Sequence, residues 1–114
     1  MDFSNQKDKL IYQKDINRKI QRIAIKEIDF IIGKKKDSVF FIGSKAFGFP
    51  ILIGEMERRF EGMGFFRIRR EKIINMARFD RIISYEKREI VLTTGDKFIV
   101  SRRNFTKFKT LIIS

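Results

Sequence analysis

A mainly β domain with short helices is the fold class this sequence predicts, and three observations carry the prediction. Apolar residues recur in short runs rich in Ile, Val and Phe, as in "EIDFII", "VFFIG" and "REIVLTT", the length and composition of strands. Turn-forming groups such as "GKKKDS", "GSK" and "TGDK" separate those runs. Only "LIGEMERRF" and "RRNFTKFKTLIIS" keep their apolar residues at helical spacing.

Taken in order, residues 1–19 ("MDFSNQKDKLIYQKDINRK") are polar with scattered apolar positions and fit neither period. They read as an arm, flexible or a marginal helix, ahead of a domain spanning residues 20–114. "IQRIAI" and "EIDFII" are β-branched and alternating, which places Ile28, Phe30 and Ile32 on one face. Gly33 to Ser38 forms a turn, and "VFFIG" and "AFGFPI" pair around Gly43-Ser44-Lys45.

In "LIGEMERRF", Leu52, Met56 and Phe60 recur every fourth residue and face a core, while Glu55, Glu57, Arg58 and Arg59 face water. Gly62 or Gly64 closes that helix. "FFRIRREKIIN", "FDRIISYE", "REIVLTT" and "KFIVS" follow as strands, the last two joined by Gly95-Asp96 as a two-residue hairpin loop. The final helix carries Phe105, Phe108 and Ile112 on one side.

Composition narrows function. With 114 residues the chain makes one domain, and its 43% hydrophobic content is enough for a core. There is no cysteine and no histidine, which removes disulfides, thiolate chemistry, the usual metal ligands and the usual general base. "GMGFFR" is not a dinucleotide fingerprint, because Arg67 stands where the last glycine is needed, and "GKKKDS" lacks the parts of a phosphate-binding loop. We therefore expect no enzyme, no cofactor and no metal. No run of 18 apolar residues occurs, and the N-terminus is unlike a signal peptide, so a cytoplasmic location is expected.

The net charge of +12, with a pI near 10.3, instead points to a polyanionic partner. Three basic clusters stand out: Lys34-Lys35-Lys36, then Arg67, Arg69, Arg70 and Lys72, and last Arg102-Arg103 beside Asn104. Each has a bland alternative as a solvated turn or the outer face of a strand. The third is the hardest to dismiss. If Ser101 caps the last helix, two arginines occupy a first turn whose dipole disfavours cations by about 0.3–1 kcal/mol each. An incoming phosphate would reverse that cost.

The segment "FFRIRREKIINMARFDRIISYEKREIVLTTGDKFIVSRRNFTKFKTLI" resembles the LytTR DNA-binding domain, the output module of LytR/AlgR-type bacterial transcription regulators. The family pattern F-x-R-x-H-R-S-x-I-V-N is met by Phe65, Arg67, Arg70, Ile73 and Asn75, with Ile74 in place of its Val. The run Ile99, Val100, Ser101 and Arg102 before the terminal helix is similar to the family's later I-x-V-S-R pattern. The likeness spans about residues 20–113 and is most specific in the second half. It implies an elongated domain of short antiparallel β-sheets with a mid-chain and a C-terminal helix. It also implies sequence-specific binding of double-stranded DNA, with loops and a helix N-terminus entering successive major grooves.

The implied contacts fall near Lys36 and Ser38, in "RIRR", and after Ser101. Arg69, Arg70 and Arg103 become the candidates for base edges. Lys34, Lys35, Lys36, Ser38, Lys72, Arg102 and Asn104 become the candidates for phosphates, with Arg67 in the same DNA-binding set. Asn75 and Ser101 are assigned to holding the backbone. Two departures change the chemistry: Arg69 replaces the family's usual His, and Glu71 its usual Ser. Residues 1–19 are too short for a receiver domain, so control would come from elsewhere. The resemblance leaves room for a regulatory partner protein, membrane-bound for some members, and for a dimer on direct-repeat half-sites. The rival reading is an RNA-binding or ribosome-associated basic β domain, which needs exposed aromatic side chains for stacking. A third is an interaction module that docks an acidic protein or membrane.

Overall fold

In the computed structural model, which describes residues 9–113, the apolar runs pair into three antiparallel sheets. A ribbon joins β1 (Leu10–Lys14) to β2 (Ile20–Ala24). The central sheet has the order β5-β4-β3-β7-β6, formed by β3 (Phe30–Lys34), β4 (Asp37–Ile42), β5 (Lys45–Phe49), β6 (Phe65–Arg69) and β7 (Lys72–Asn75). The third sheet is β10-β9-β8, from β8 (Phe79–Ser84), β9 (Glu89–Leu92) and β10 (Lys97–Ile99). Helix α1 covers Ile53–Arg59 and α2 covers Arg102–Ile113. The domain is mainly β and elongated, 42 × 30 × 25 Å.

The central sheet is buried on both faces, and that decides most of the packing. On one face Ile31, Phe40 and Ile73 meet Met56 of α1, Phe60 just after it and Ile23 of the ribbon. On the other, Phe30 and Ile74 meet Ile90 and Phe98 of the third sheet and Phe105 and Phe108 of α2. The Phe30 ring stacks on Phe41 at 4.5 Å and meets the edge of Phe98 at 4.9 Å, a geometry favoured by the ring quadrupoles.

Four sequence expectations are corrected here. Ile28 does not share a face with Phe30 and Ile32. It follows a 3-10 turn at Ile25–Glu27 and packs on the α1 side, whereas Phe30 and Ile32 face the third sheet. Leu52 caps α1 and is exposed rather than buried with Met56 and Phe60. The loop between β9 and β10 runs over four residues, Thr93–Asp96. It is closed by Gly95 N–H donating to the Leu92 carbonyl and Leu92 N–H donating to the Asp96 carbonyl.

The fourth correction concerns the arm. Residues 1–8 lie outside the described residues, but from Leu10 the chain is a strand, paired with β2 across the expected boundary at residue 20. Ile11 packs on the α1-side core, so hydrophobic contact as well as pairing holds it there.

A tight turn sets the ribbon's register. The Asp15 carboxylate accepts N–H bonds from Asn17 (2.8 Å) and Lys19 (2.9 Å) and a side-chain bond from Gln21 (2.8 Å). The Gln21 bond, then the backbone bond from Lys19, holds its pKa below the ordinary 3.8. Because the folded pKa is depressed, this stabilisation is complete above the unfolded value and is lost as pH falls through the folded one. We expect the amide resonances of Asn17 and Lys19 to titrate with a midpoint below 3.8, and Asp15→Asn to abolish that titration. A midpoint at or above the ordinary value would refute the assignment.

A second polar knot lies where β3 begins. Buried Asp29 accepts from the Gly43 amide (2.9 Å) and from Arg78 Nε (2.8 Å). Asn75, fully buried, donates from Nδ2 to the Ile28 carbonyl (2.8 Å) and accepts from the Ala77 amide (2.9 Å). These bonds satisfy backbone groups that leave the sheet at the 3-10 turns. The structural role expected of Asn75 is thus met by named partners.

Candidate nucleic-acid interface

Two backbone hydrogen bonds bring the basic clusters together. Gly33 N–H donates to the Glu71 carbonyl (2.8 Å), placing the β3–β4 turn beside the β6–β7 turn. Ser101 N–H donates to the Ile68 carbonyl (2.9 Å), fixing the start of α2 against β6. Residues 34–36, 67–72 and 102–104 therefore sit around one end of the central sheet. Helix α1 packs close beside them, because a Cβ at Gly33 would lie 2.9 Å from Ile53.

Between α1, β6 and α2 lies an open cleft of about 930 Å³, with Arg67, Arg69, Arg70, Arg103 and Asn104 on its walls. A bulge shapes its centre. Arg67 stands opposite Ile73 and Arg69 opposite Lys72, with the register shifting between them. Directly paired residues share a face, and neighbours on a strand do not, so Arg67 and Arg69 leave the sheet on opposite faces. Because of that bulge, no single outer face carries both.

Each arginine is then differently held. Arg67 donates from Nε to the Arg70 carbonyl (3.0 Å) and from its guanidinium to Glu57 (3.0 Å), which clasps the β6–β7 turn to α1. Arg69 has its Nε 2.8 Å from the Glu71 carboxylate, an ion pair without hydrogen-bond alignment. Arg70 is exposed at the turn.

At the helix start Ser101 Oγ accepts the Asn104 N–H at 3.3 Å, the cap expected of it. Arg102 and Arg103 are exposed in the first turn, which holds no acidic residue. Lys34, Lys35 and Lys36 are exposed at the β3–β4 turn, where Lys35 adopts a φ of +50°. Lys107, four residues after Arg103, also lines the cleft. Sequence reasoning missed it, although i, i+4 spacing along the last helix was its signal.

Two residues named from sequence do not face this surface. Ser38 is fully buried, and its hydroxyl donates to the Ile51 carbonyl at 2.6 Å. Its place is structural, because β4 turns it inward. Lys72 lays its ammonium over the Phe98 ring, 4.8 Å from the centroid, a cation–π contact between the central and third sheets. The cleft also carries Glu57 and Glu61, so its positive character comes from its rim. Among the described residues no group of His, Cys, Asp and Glu is arranged to hold a metal, and no helix is long and apolar enough to cross a membrane.

Comparison with known proteins places this geometry. Residues 18–113 match the model of the LytTr DNA-binding domain family. No curated protein matches the chain. Among solved structures, the LytTr DNA-binding domain of a Bacillus cereus protein described as a methyl-accepting/DNA response regulator superposes with a TM-score of 0.75 at 15% identity. That match covers 90% of this chain and 95% of the other, and at such identity it speaks for the fold.

Proposed function

The chain belongs to the LytTR DNA-binding domain family, and from that premise we propose that it regulates transcription by binding a specific duplex DNA sequence through the basic end of its central sheet. The observation that carries this is the convergence of the three clusters, through the Gly33–Glu71 and Ser101–Ile68 backbone bonds, onto one rim. The family is defined by DNA binding and not by catalysis.

On this reading the β3–β4 turn and the α2 start approach successive major grooves. Arg69, Arg70 and Arg103 reach base edges, while Lys34, Lys35, Lys36, Arg102, Asn104 and Lys107 meet phosphates. Arg67 orients the β6–β7 turn. An arginine at position 69 favours bidentate contact with guanine. Two copies would occupy direct-repeat half-sites about 10.5 bp apart, which keeps both on one side of the duplex. RNA binding by base stacking is less well served, since among the described residues no phenylalanine is exposed and the exposed Tyr12 and Tyr85 do not line the cleft.

The test is competition of duplex DNA, single-stranded RNA and anionic vesicles against one labelled duplex, after selecting the preferred site from random duplexes. Duplex DNA should win. Arg69→Ala should cost about 1–3 kcal/mol on the preferred site and relax preference at one base pair, while Lys35→Ala should weaken every sequence alike. Equal losses on specific and random duplexes for both variants would reduce Arg69 to a phosphate contact. Stronger competition by RNA would remove the reading.

A further inference from the structure

The β1–β2 ribbon lies on the opposite flank of α1 from the basic cleft. Gly54, Glu57 and Arg58 of α1 face the cleft, whereas Met56, Arg59 and Phe60 face the ribbon. By register, Leu10, Tyr12 and Lys14 of β1 share one face with Ile20, Arg22 and Ala24 of β2. The opposite face, with Ile11 and Ile23, is packed on the core. The first face is therefore the outer one, and it is unusually apolar: Leu10 is 48% exposed, Tyr12 65% and Ile20 63%, with Ile16 in the turn at 54%.

These four account for nearly half of the large apolar side chains exposed among the described residues. A two-stranded ribbon rarely exposes such a row without a partner to cover it. Its charge is as lopsided as its polarity. Residues 9–24 carry Lys9, Lys14, Arg18, Lys19 and Arg22 against the single acid Asp15, and Asp15 is buried and bonded within its own turn. Beside the ribbon, a cavity of about 240 Å³ opens between β1 and α1, lined by Ile11, Tyr12, Ile25, Met56, Phe60 and Met63. It is smaller than a usual small-molecule site and suits one aromatic or branched side chain. Arg59, donating to Gln13 at 3.1 Å, stands at its wall.

We propose that this ribbon face and the adjoining cavity form a docking site for an acidic segment of another protein, anchored by one apolar side chain. A net +4 stretch with apolar residues between its cations calls for a partner that supplies acids around a hydrophobic anchor. A second copy of this chain would set like charge against like. DNA would cover the cations and leave Leu10, Tyr12 and Ile20 without apolar contact. An anionic membrane would match the charge but has no discrete side chain to fill the cavity. Because α1 separates the two surfaces, a bound partner would adjoin the DNA rim without occupying it.

The experiment is selection from a random-peptide display library against the whole chain, counter-selected against Tyr12→Ser/Arg22→Glu. Both substituted side chains are exposed, and circular dichroism with thermal denaturation confirms that the variant remains folded. The surviving peptides should be enriched in Asp and Glu around a Trp, Phe or Leu. They should bind the variant at least tenfold more weakly, and duplex DNA should not displace them. Survivors without acidic enrichment, or equal binding to the variant, would overturn the proposal. So would variant-sensitive dimerisation in sedimentation, displacement by DNA, or tighter variant-sensitive binding to anionic vesicles than to the peptides. Failure of the DNA reading leaves the peptide, dimerisation and vesicle outcomes interpretable, because only displacement requires DNA to bind.

Discussion

Asn75→Ala is expected to lower stability by about 3 kcal/mol, which for a domain of this size is a fall of roughly 10–20 °C in Tm. The side chain is fully buried and serves two backbone groups: it donates to the Ile28 carbonyl and accepts from the Ala77 amide. Truncation leaves both groups short of a partner inside the protein, at about 1–3 kcal/mol each, and opens a small void. Asn75→Asp separates the two roles. Its carboxylate could still accept from Ala77 but has no proton to give to Ile28, so it should also be destabilised at neutral pH. Thermal denaturation of the two variants against wild type is the measurement. An Asn75→Ala change below about 1 kcal/mol would mean that water replaces the side chain at the β7 exit.

The same residue shows why some of the fold was legible. Asn75 follows an apolar pair and precedes a turn, so a backbone-holding role could be read from local sequence. The layer in which each residue sits could not. Alternation assigns residues of β3 to two faces, but both faces are buried, and only the 3-10 turn at Ile25–Glu27 decides that Ile28 belongs with Ile31. Strand β1 was missed because Leu10 and Tyr12, which ought to mark an inner face, point outward. The pattern that betrays a half-buried strand was inverted there.

The basic rim was legible in its charges and not in its geometry. Lysines at a turn and arginines after a capping serine are local features. The inward rotation of Ser38 and the seating of Lys72 on Phe98 depend on residues distant in sequence. The bulge that parts Arg67 from Arg69 depends on the register with β7. A strand sequence alone carries no mark of which position will bulge.

The steepest functional effect expected is that of salt. Seven cations stand exposed around the rim: Lys34, Lys35, Lys36, Arg70, Arg102, Arg103 and Lys107. If five to seven of them neutralise phosphates, log K against log[salt] should fall with a slope of roughly −4 to −6, since each contact contributes about −0.9. Raising salt from about 50 to 200 mM should then weaken binding on the order of a thousandfold. The pH response should be flat by contrast. The chain has no histidine, and lysine and arginine as residue types ionise far above neutrality. Affinity should thus change less than about twofold between pH 6 and 8, whereas a relative with His at the position of Arg69 should bind more tightly as its imidazole gains charge. Charge reversal links the slope to the residues: Arg103→Glu and Lys35→Glu should each make it shallower by at least one unit, while Lys72→Ala, whose ammonium rests on Phe98, should leave it unchanged. Fluorescence titrations of a labelled duplex across salt and pH supply every one of these values. A slope shallower than about −2, or a tenfold response to pH, would place the contact surface away from this rim.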